Sequence, residues 1–98
     1  MGASKLHTEI LNAVAADVVP AWKDISNARQ VAIVITIVGT VTVTLLLDPI
    51  GDGSHVITLG TFTESAYKVL DPAIGRIHAA SSGAQEASSA IVDLFEVQ

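Results

Sequence analysis

The chain has 98 residues and carries ten Asp and Glu against five Lys and Arg, which gives a formal net charge of −5. A chain of this length predicts one domain with a modest core, and a 50% hydrophobic content is too apolar for a disordered protein. The few basic residues form no cluster, so the sequence predicts binding neither to nucleic acid nor to a membrane surface. The absence of cysteine excludes disulfides, zinc–thiolate sites and thiol catalysis.

The N-terminal segment predicts a short helix over residues 5–16, which ends before Pro20 because the residue preceding a proline favours extended geometry. The helix would carry one apolar stripe with a spacing of four. That stripe consists of Leu6, Ile10 and Val14. A helix this short is marginal by itself, so the stripe should pack on the domain or on a neighbouring subunit. We therefore expect an N-terminal helix or arm over 1–24 and a β-sandwich domain over 25–98.

Residues 31–47, VAIVITIVGTVTVTLLL, contain no charge, and their length touches the lower limit for a membrane-spanning helix. Most of them are Val, Ile or Thr, which lose side-chain freedom in a helix and suit a strand. After Gly39, threonines alternate with apolar residues, a period of two that places hydroxyls on one face. The stretch therefore predicts two strands divided near Gly39 rather than a membrane span.

The first of these two strands, QVAIVITIV, is apolar on both faces. A strand of that kind must be covered on both sides. One cover would be the second sheet, and the other would be the N-terminal helix or another subunit.

The second half of the chain reads as further strands separated by turns. DPIGDGS is the strongest turn signal, and strands are predicted at HVITLGTFT (with Gly60 at a bulge), SAYKVL, GRIHAAS and SAIVDLFEV. Turns at intervals of about 8–12 residues are typical of a sandwich or barrel. The predicted fold is mainly β, an antiparallel β-sandwich of jelly-roll or immunoglobulin-like type.

No residue pattern predicts catalysis, a cofactor or a metal. His7, His55 and His78 lack the spacing of a zinc site, and no G-x-S-x-G turn supports a hydrolase triad. Asp48 and Asp52 flank one turn, where we expect their side chains to stabilise the loop. They are also conceivable calcium ligands, but the remaining positions of the EF-hand pattern are missing. The sequence thus predicts a binding protein and not an enzyme.

The order of four segments resembles a known group of proteins. These are ISNARQVAIVIT, GTVTVTLLLDPIGDGSHVITLGTFT, IGRIHAASSGA and SSAIVDLFEV, which together cover most of 25–97. The order is similar to that of the small β-sandwich proteins encoded among the virion genes of tailed bacteriophages. That resemblance implies a structural part of a virion, made in the host cytoplasm and carried on the capsid surface.

The resemblance implies a decoration or cement protein that binds contacts between major capsid proteins, with a homotrimer as the favoured oligomer. A tail, head–tail adaptor or fibre-base protein is the alternative, and a carbohydrate-binding β-sandwich is a more remote one. Candidate interface residues are the apolar residues of the helix, of the two-faced strand and the large aromatics. They are Leu6, Ile10, Val14, Trp22, Ile33, Ile35 and Phe95.

Overall fold

The computed structural model describes residues 5–98, which form two four-stranded antiparallel sheets. The strands are β1 (Lys5–Val14), β2 (Lys23–Asp24), β3 (Gln30–Val38), β4 (Thr42–Asp48), β5 (Ile57–Phe62), β6 (Ala66–Leu70), β7 (Arg76–Ser82) and β8 (Ser89–Val97). Sheet A has the order β1-β8-β3-β6, and sheet B has the order β2-β7-β4-β5. The prediction of a mainly β protein with two packed antiparallel sheets is confirmed.

The strands pair as if one long hairpin had been folded over. β1 pairs with β8, β2 with β7, β3 with β6 and β4 with β5. Two further pairs, β3 with β8 and β4 with β7, join these ribbons into sheets. Only β4 and β5 are consecutive strands of one sheet, so every other connection crosses from one sheet to the other.

The core lies between the two sheets and follows from the two-residue period of each strand. Along β8, for example, buried and half-buried residues alternate without interruption. Burial of one such aliphatic side chain contributes about 1.5–3 kcal/mol to folding. The largest fully buried aliphatic side chains come from both sheets and the β2–β3 loop. They are Leu11, Ile25, Ile33, Ile35, Leu45, Ile77 and Leu94.

The long uncharged run is indeed two strands, β3 and β4, separated at Gly39, whose φ is +73°. A side chain at this glycine would lie 3.0 Å from the carbonyl oxygen of Ala87, so the turn needs both the left-handed backbone and the missing Cβ. In β4, Val43 and Leu45 are fully buried and Thr44 faces outward, as the alternation predicts. Within residues 5–98 there is no helix of the length and apolarity that crossing a membrane requires.

The predicted N-terminal helix is wrong, because residues 5–14 form the edge strand β1 of sheet A. β1 pairs with β8 from Lys5 opposite Val97 to Val14 opposite Ser89, with a bulge between Glu9 and Leu11.

The bulge explains why the sequence is misleading here. An extra residue interrupts the alternation, so that Leu11 and Ala13 face the core after it. The spacing of four between Leu6, Ile10 and Val14 thus does not mark a buried stripe: Leu6 is 54% and Val14 71% exposed. Of the segment 1–24, residues 1–4 lie outside the described residues, and the remainder contributes β1 and the whole of β2.

Candidate functional site

The outward face of sheet A is apolar, and no strand of residues 5–98 packs over it. Its side chains come from the strand positions that alternate with the buried ones on β3, β6 and β8. We call this set the outer apolar face. It consists of Ala32, Val34, Tyr67, Val69, Ile91, Phe95 and Val97.

Two members of the outer apolar face are strongly exposed, Tyr67 at 65% and Val69 at 44%. A shallow depression of ≈310 Å³ opens beside Tyr67, between Ala32 and Phe95. The register explains this grouping, since Val34 lies opposite Tyr67 and Ala32 lies opposite both Val69 and Phe95. Three neighbouring strands thus present apolar side chains to one surface.

The outward face of sheet B is more polar. Thr42, Thr44 and Leu46 point outward on β4, and Thr61 lies directly opposite Thr44 on β5. The two sheets therefore differ in what they offer to solvent. Only sheet A shows the second apolar face that the sequence predicts for β3.

One acid interrupts the outer apolar face: Asp93 lies between Ile91 and Phe95 on β8, opposite Val34, and it pairs with His7 on β1. The Nε2 atom of His7 lies 2.8 Å from Oδ1 of Asp93, and the imidazole stacks on Phe95 with ring centroids 4.8 Å apart. Asp93 is partly buried, with 22% of its side chain exposed. It sits on β8, an internal strand, and holds an imidazole over the one aromatic of that strand.

A second feature, which we call the loop cleft, lies at one end of the sandwich. It has a volume of ≈640 Å³ and is formed by the segments that follow β2, β4 and β6. Its lining residues include Trp22, Asp24, Ile50, Ile74 and Arg76.

Beneath the loop cleft, Asp48 is fully buried at the end of β4 and accepts three hydrogen bonds. The Nε–H of Arg76 donates to Oδ2 over 2.8 Å. The backbone N–H of Gly51 donates to Oδ1 over 3.0 Å, and that of Gly53 donates to Oδ2 over 2.8 Å. Burial raises the pKa of Asp48, but the bonds from Arg76, Gly51 and Gly53 outweigh it, so the pKa lies below its ordinary value.

The interpretation of DPIGDGS as a turn stabilised by aspartates is confirmed. Asp48 binds the amides of its own loop, and Asp52 accepts the backbone N–H of Ser54 over 2.9 Å. A calcium ion at Asp48 would have to displace three N–H donors. Within the described part of the chain, no group of three His, Asp or Glu side chains could hold a metal ion.

The charge of Asp48 makes folding stability sensitive to acid. Because its pKa is lowered in the fold from 3.8, its contribution is fully present above about pH 4 and is lost as the pH falls through the lower, folded value. We expect the melting temperature to fall steeply below about pH 4, and the variant Asp48→Asn to melt several degrees lower at pH 7 with a shallower acid decline.

Thermal melts from pH 7 to pH 2 followed by circular dichroism measure this effect. Glu64→Gln is the control, since it removes an exposed carboxyl between β5 and β6. Equal acid slopes for the wild type and Asp48→Asn would contradict the assignment.

Trp22 is held on the surface of sheet B by two residues of β7. Its ring centroid lies 5.0 Å from that of His78, and the guanidinium carbon of Arg76 lies 4.9 Å from its ring centre. His78 is fixed in turn, because its Nε2–H donates to the carbonyl oxygen of Pro20 over 2.9 Å. The single tryptophan of the chain is therefore a rigid part of the loop cleft.

Comparison with known protein families, with curated proteins and with solved structures found no match to this chain. The function must therefore be inferred from its own surfaces.

The predicted interface residues separate into three groups. Ile33 and Ile35 are fully buried between the sheets and face no partner. Leu6 and Val14 are exposed on β1, while Ile10 packs against the edge of the core. Phe95 belongs to the outer apolar face and Trp22 to the loop cleft, on opposite sheets.

Sequence reasoning missed the partners of these aromatics. Val34, Tyr67 and Val69 complete the outer apolar face, but only the register of β3 with β6 brings them together. Arg76 and Asp24 meet because β2 pairs with β7, and a two-residue strand leaves no periodic signal. The lack of a polar face in QVAIVITIV is the one signal that points to the outer apolar face from sequence alone.

Proposed function

We propose that this chain is a structural protein of a tailed-phage virion that decorates or cements the capsid. It would bind contacts between major capsid proteins through the outer apolar face and carry out no chemistry. The observation that supports this best is that face itself: seven side chains from three strands form an apolar surface without a covering strand in residues 5–98. Large exposed apolar patches commonly mark protein–protein interaction sites.

We further propose that the sandwich is a jelly roll and not immunoglobulin-like. The strand orders β1-β8-β3-β6 and β2-β7-β4-β5 favour this, since eight strands in two sheets with crossing connections are typical of a jelly roll. In an immunoglobulin constant domain, the first two strands pair within one sheet. Here β1 and β2 lie in different sheets. Jelly rolls are common among viral capsid domains, which agrees with the proposed role.

The energetics favour assembly for a chain of this size. Apolar surface removed from water contributes about 25 cal/mol per Å², and a small domain buries a limited core by itself. Covering the outer apolar face would extend β3 from one buried face to two. A homotrimer on the capsid surface would place three such faces around one symmetry axis, so that each copy could contact a capsid subunit or its neighbour.

Binding to capsid shells assembled without this protein tests the proposal. Purified protein should cosediment with the shells at a fixed ratio to the major capsid protein and raise their melting temperature. Val34→Glu places a carboxylate at the centre of the outer apolar face, opposite Tyr67 and Asp93, neither of which is a cation. It should abolish cosedimentation, since a buried unpaired charge is costly.

Thr44→Glu is the matched control, because it makes the same kind of change at the centre of sheet B and should leave cosedimentation intact. Melting curves of both variants establish that they fold. Wild-type protein that neither binds the shells nor stabilises them would overturn the proposal. Occurrence in tail or adaptor rings would favour the alternative assignment.

A further inference from the structure

The loop cleft has the shape and chemistry of a small-ligand site that the proposed assembly role does not use. Its volume of ≈640 Å³ falls within the about 300–1,000 Å³ of typical small-molecule sites. It lies on the edge of the sandwich beside sheet B, away from the outer apolar face of sheet A. We propose that the loop cleft binds a neutral pyranose sugar.

The floor of the cleft contains a hydrogen-bond donor and a hydrogen-bond acceptor that do not bond to each other. Asp24 and Arg76 are direct register partners across β2 and β7. Asp24 nevertheless uses its Oδ1 atom to accept from the N–H and hydroxyl of Ser26, at 2.8 Å and 2.7 Å. Arg76 uses its Nε–H for Asp48. Among the described residues, the terminal N–H groups of Arg76 and the Oδ2 atom of Asp24 have no hydrogen-bond partner.

The two groups are held in place before any ligand arrives. Arg76 is fixed from below by the buried Asp48 and from the side by the indole of Trp22, 4.9 Å away. Asp24 is fixed by Ser26, which closes a local turn around its carboxylate. Binding therefore costs little side-chain ordering.

The rim of the cleft is apolar, although its floor is polar. Ile50 on the β4–β5 loop and Ile74 on the β6–β7 loop are both exposed, and Trp22 lines the same space. The ligand should thus combine an apolar surface with several hydroxyls. A pyranose ring fits this description, because its C–H groups form an apolar patch and its edge carries hydroxyls.

The charged side chains at the cleft favour a neutral ligand. Asp48 already neutralises Arg76, and the remaining charge at the cleft surface is the carboxylate of Asp24, which repels an anion. A sugar hydroxyl both donates and accepts, so adjacent hydroxyls can donate to Asp24 and accept from Arg76.

The fluorescence of Trp22 should report ligand binding, since Trp22 is the only tryptophan of the chain and lines the cleft. The full chain is titrated with the methyl pyranosides of glucose, galactose, mannose and N-acetylglucosamine while the Trp22 emission is recorded. At least one glycoside should give a saturable change. Inorganic phosphate and acetate, titrated in the same way, should give none.

Asp24→Asn should weaken the binding of the responding glycoside about tenfold, because a charged acceptor is replaced by a neutral one. Asp52→Asn is the matched control, since Asp52 holds Ser54 in the same local pattern but lies outside the lining of the cleft. Its affinity should equal that of the wild type. Ile74→Ser, a second test at the rim, should also weaken binding.

Three results would overturn the proposal: no response to any glycoside, a saturable response to phosphate or acetate, or equal weakening in Asp24→Asn and Asp52→Asn. None of these bears on capsid binding, which is tested at Val34 on the other sheet.

Discussion

Gly75→Ala is expected to destabilise the fold severely. Gly75 lies in the β6–β7 loop with φ +66°, and it packs directly against the backbone at the end of β4. A Cβ there would overlap the carbonyl oxygen of Asp48 and lie 2.7 Å from Cα of Pro49. Neither atom belongs to a flexible side chain, so the loop or the strand end must move.

Such a movement would disturb the buried ion pair between Asp48 and Arg76, because both residues are adjacent in the chain to the displaced segments. It would also break the bond from the N–H of Ile25 to the carbonyl oxygen of Gly75. We expect a loss of more than about 4 kcal/mol in the free energy of unfolding, which places this substitution among the exceptional ones.

Gly83→Ala separates the cost of a left-handed backbone from the cost of the steric overlap at Gly75. Gly83 has nearly the same backbone, φ +65°, but no atom lies within 4 Å of the position that its Cβ would take. Its cost should be limited to the left-handed conformation, about 1–2 kcal/mol. Urea unfolding of both variants gives the comparison. If the two substitutions lower the free energy of unfolding equally, the close approach at Gly75 does not contribute to the loss and our account of this loop is wrong.

Leu11→Ala is expected to have the second-largest effect. Leu11 is 2% exposed on β1, directly after the bulge, and faces Val92 on β8. Removing three carbons from this site leaves a cavity between the sheets, at a cost of about 2–5 kcal/mol. Urea unfolding at a fixed protein concentration measures the change.

Leu6→Ala is the control on the same strand. Leu6 is exposed, so the same chemical change should alter the free energy of unfolding by less than about 0.5 kcal/mol. An amphipathic helix with Leu6, Ile10 and Val14 on its buried face would give the reverse order. The pair of variants therefore decides between the helix that the sequence predicts and the strand β1.

From β3 onward, the sequence contains enough information to place every strand. Alternation marks β4, turn residues bound β5 and β6, and Gly39 separates β3 from β4. These signals are local, which is why they survive without knowledge of the fold. The prediction of β1 fails because its bulge is not a local signal: it can be recognised only once the partner strand is known.

The faces of the strands are harder to predict than the strands themselves. In β8, the sequence offers one face with Ala90, Val92, Leu94 and Glu96 and another with Ser89, Ile91, Asp93, Phe95 and Val97. Each face carries one acid among apolar residues, so hydrophobicity alone does not choose between them. The structure buries the first, including Glu96, whose carboxylate lies 3.5 Å from Nζ of Lys23 on the opposite sheet.

The reason is that sheet A has apolar side chains on both sides, so periodicity cannot say which side meets sheet B. The loop cleft was beyond prediction for a different reason. Its residues come from β2 and its flanks, from two loops and from the start of β7, which the folded hairpin brings to one end, and no spacing in the sequence records that meeting.

The pairing of β1 with β8 also governs the order in which the protein can form. Sheet A cannot assemble stepwise as the ribosome delivers the chain, because β8 lies between β1 and β3 and is made last of the eight strands. Until residues 89–97 leave the exit tunnel, β1 has no partner and β3 has only the short β6. Folds dominated by such distant pairings reach the native state in about milliseconds to seconds, far more slowly than helical bundles. During that interval the edge of β3 that awaits β8 is unpaired, and an unpaired apolar strand edge favours aggregation.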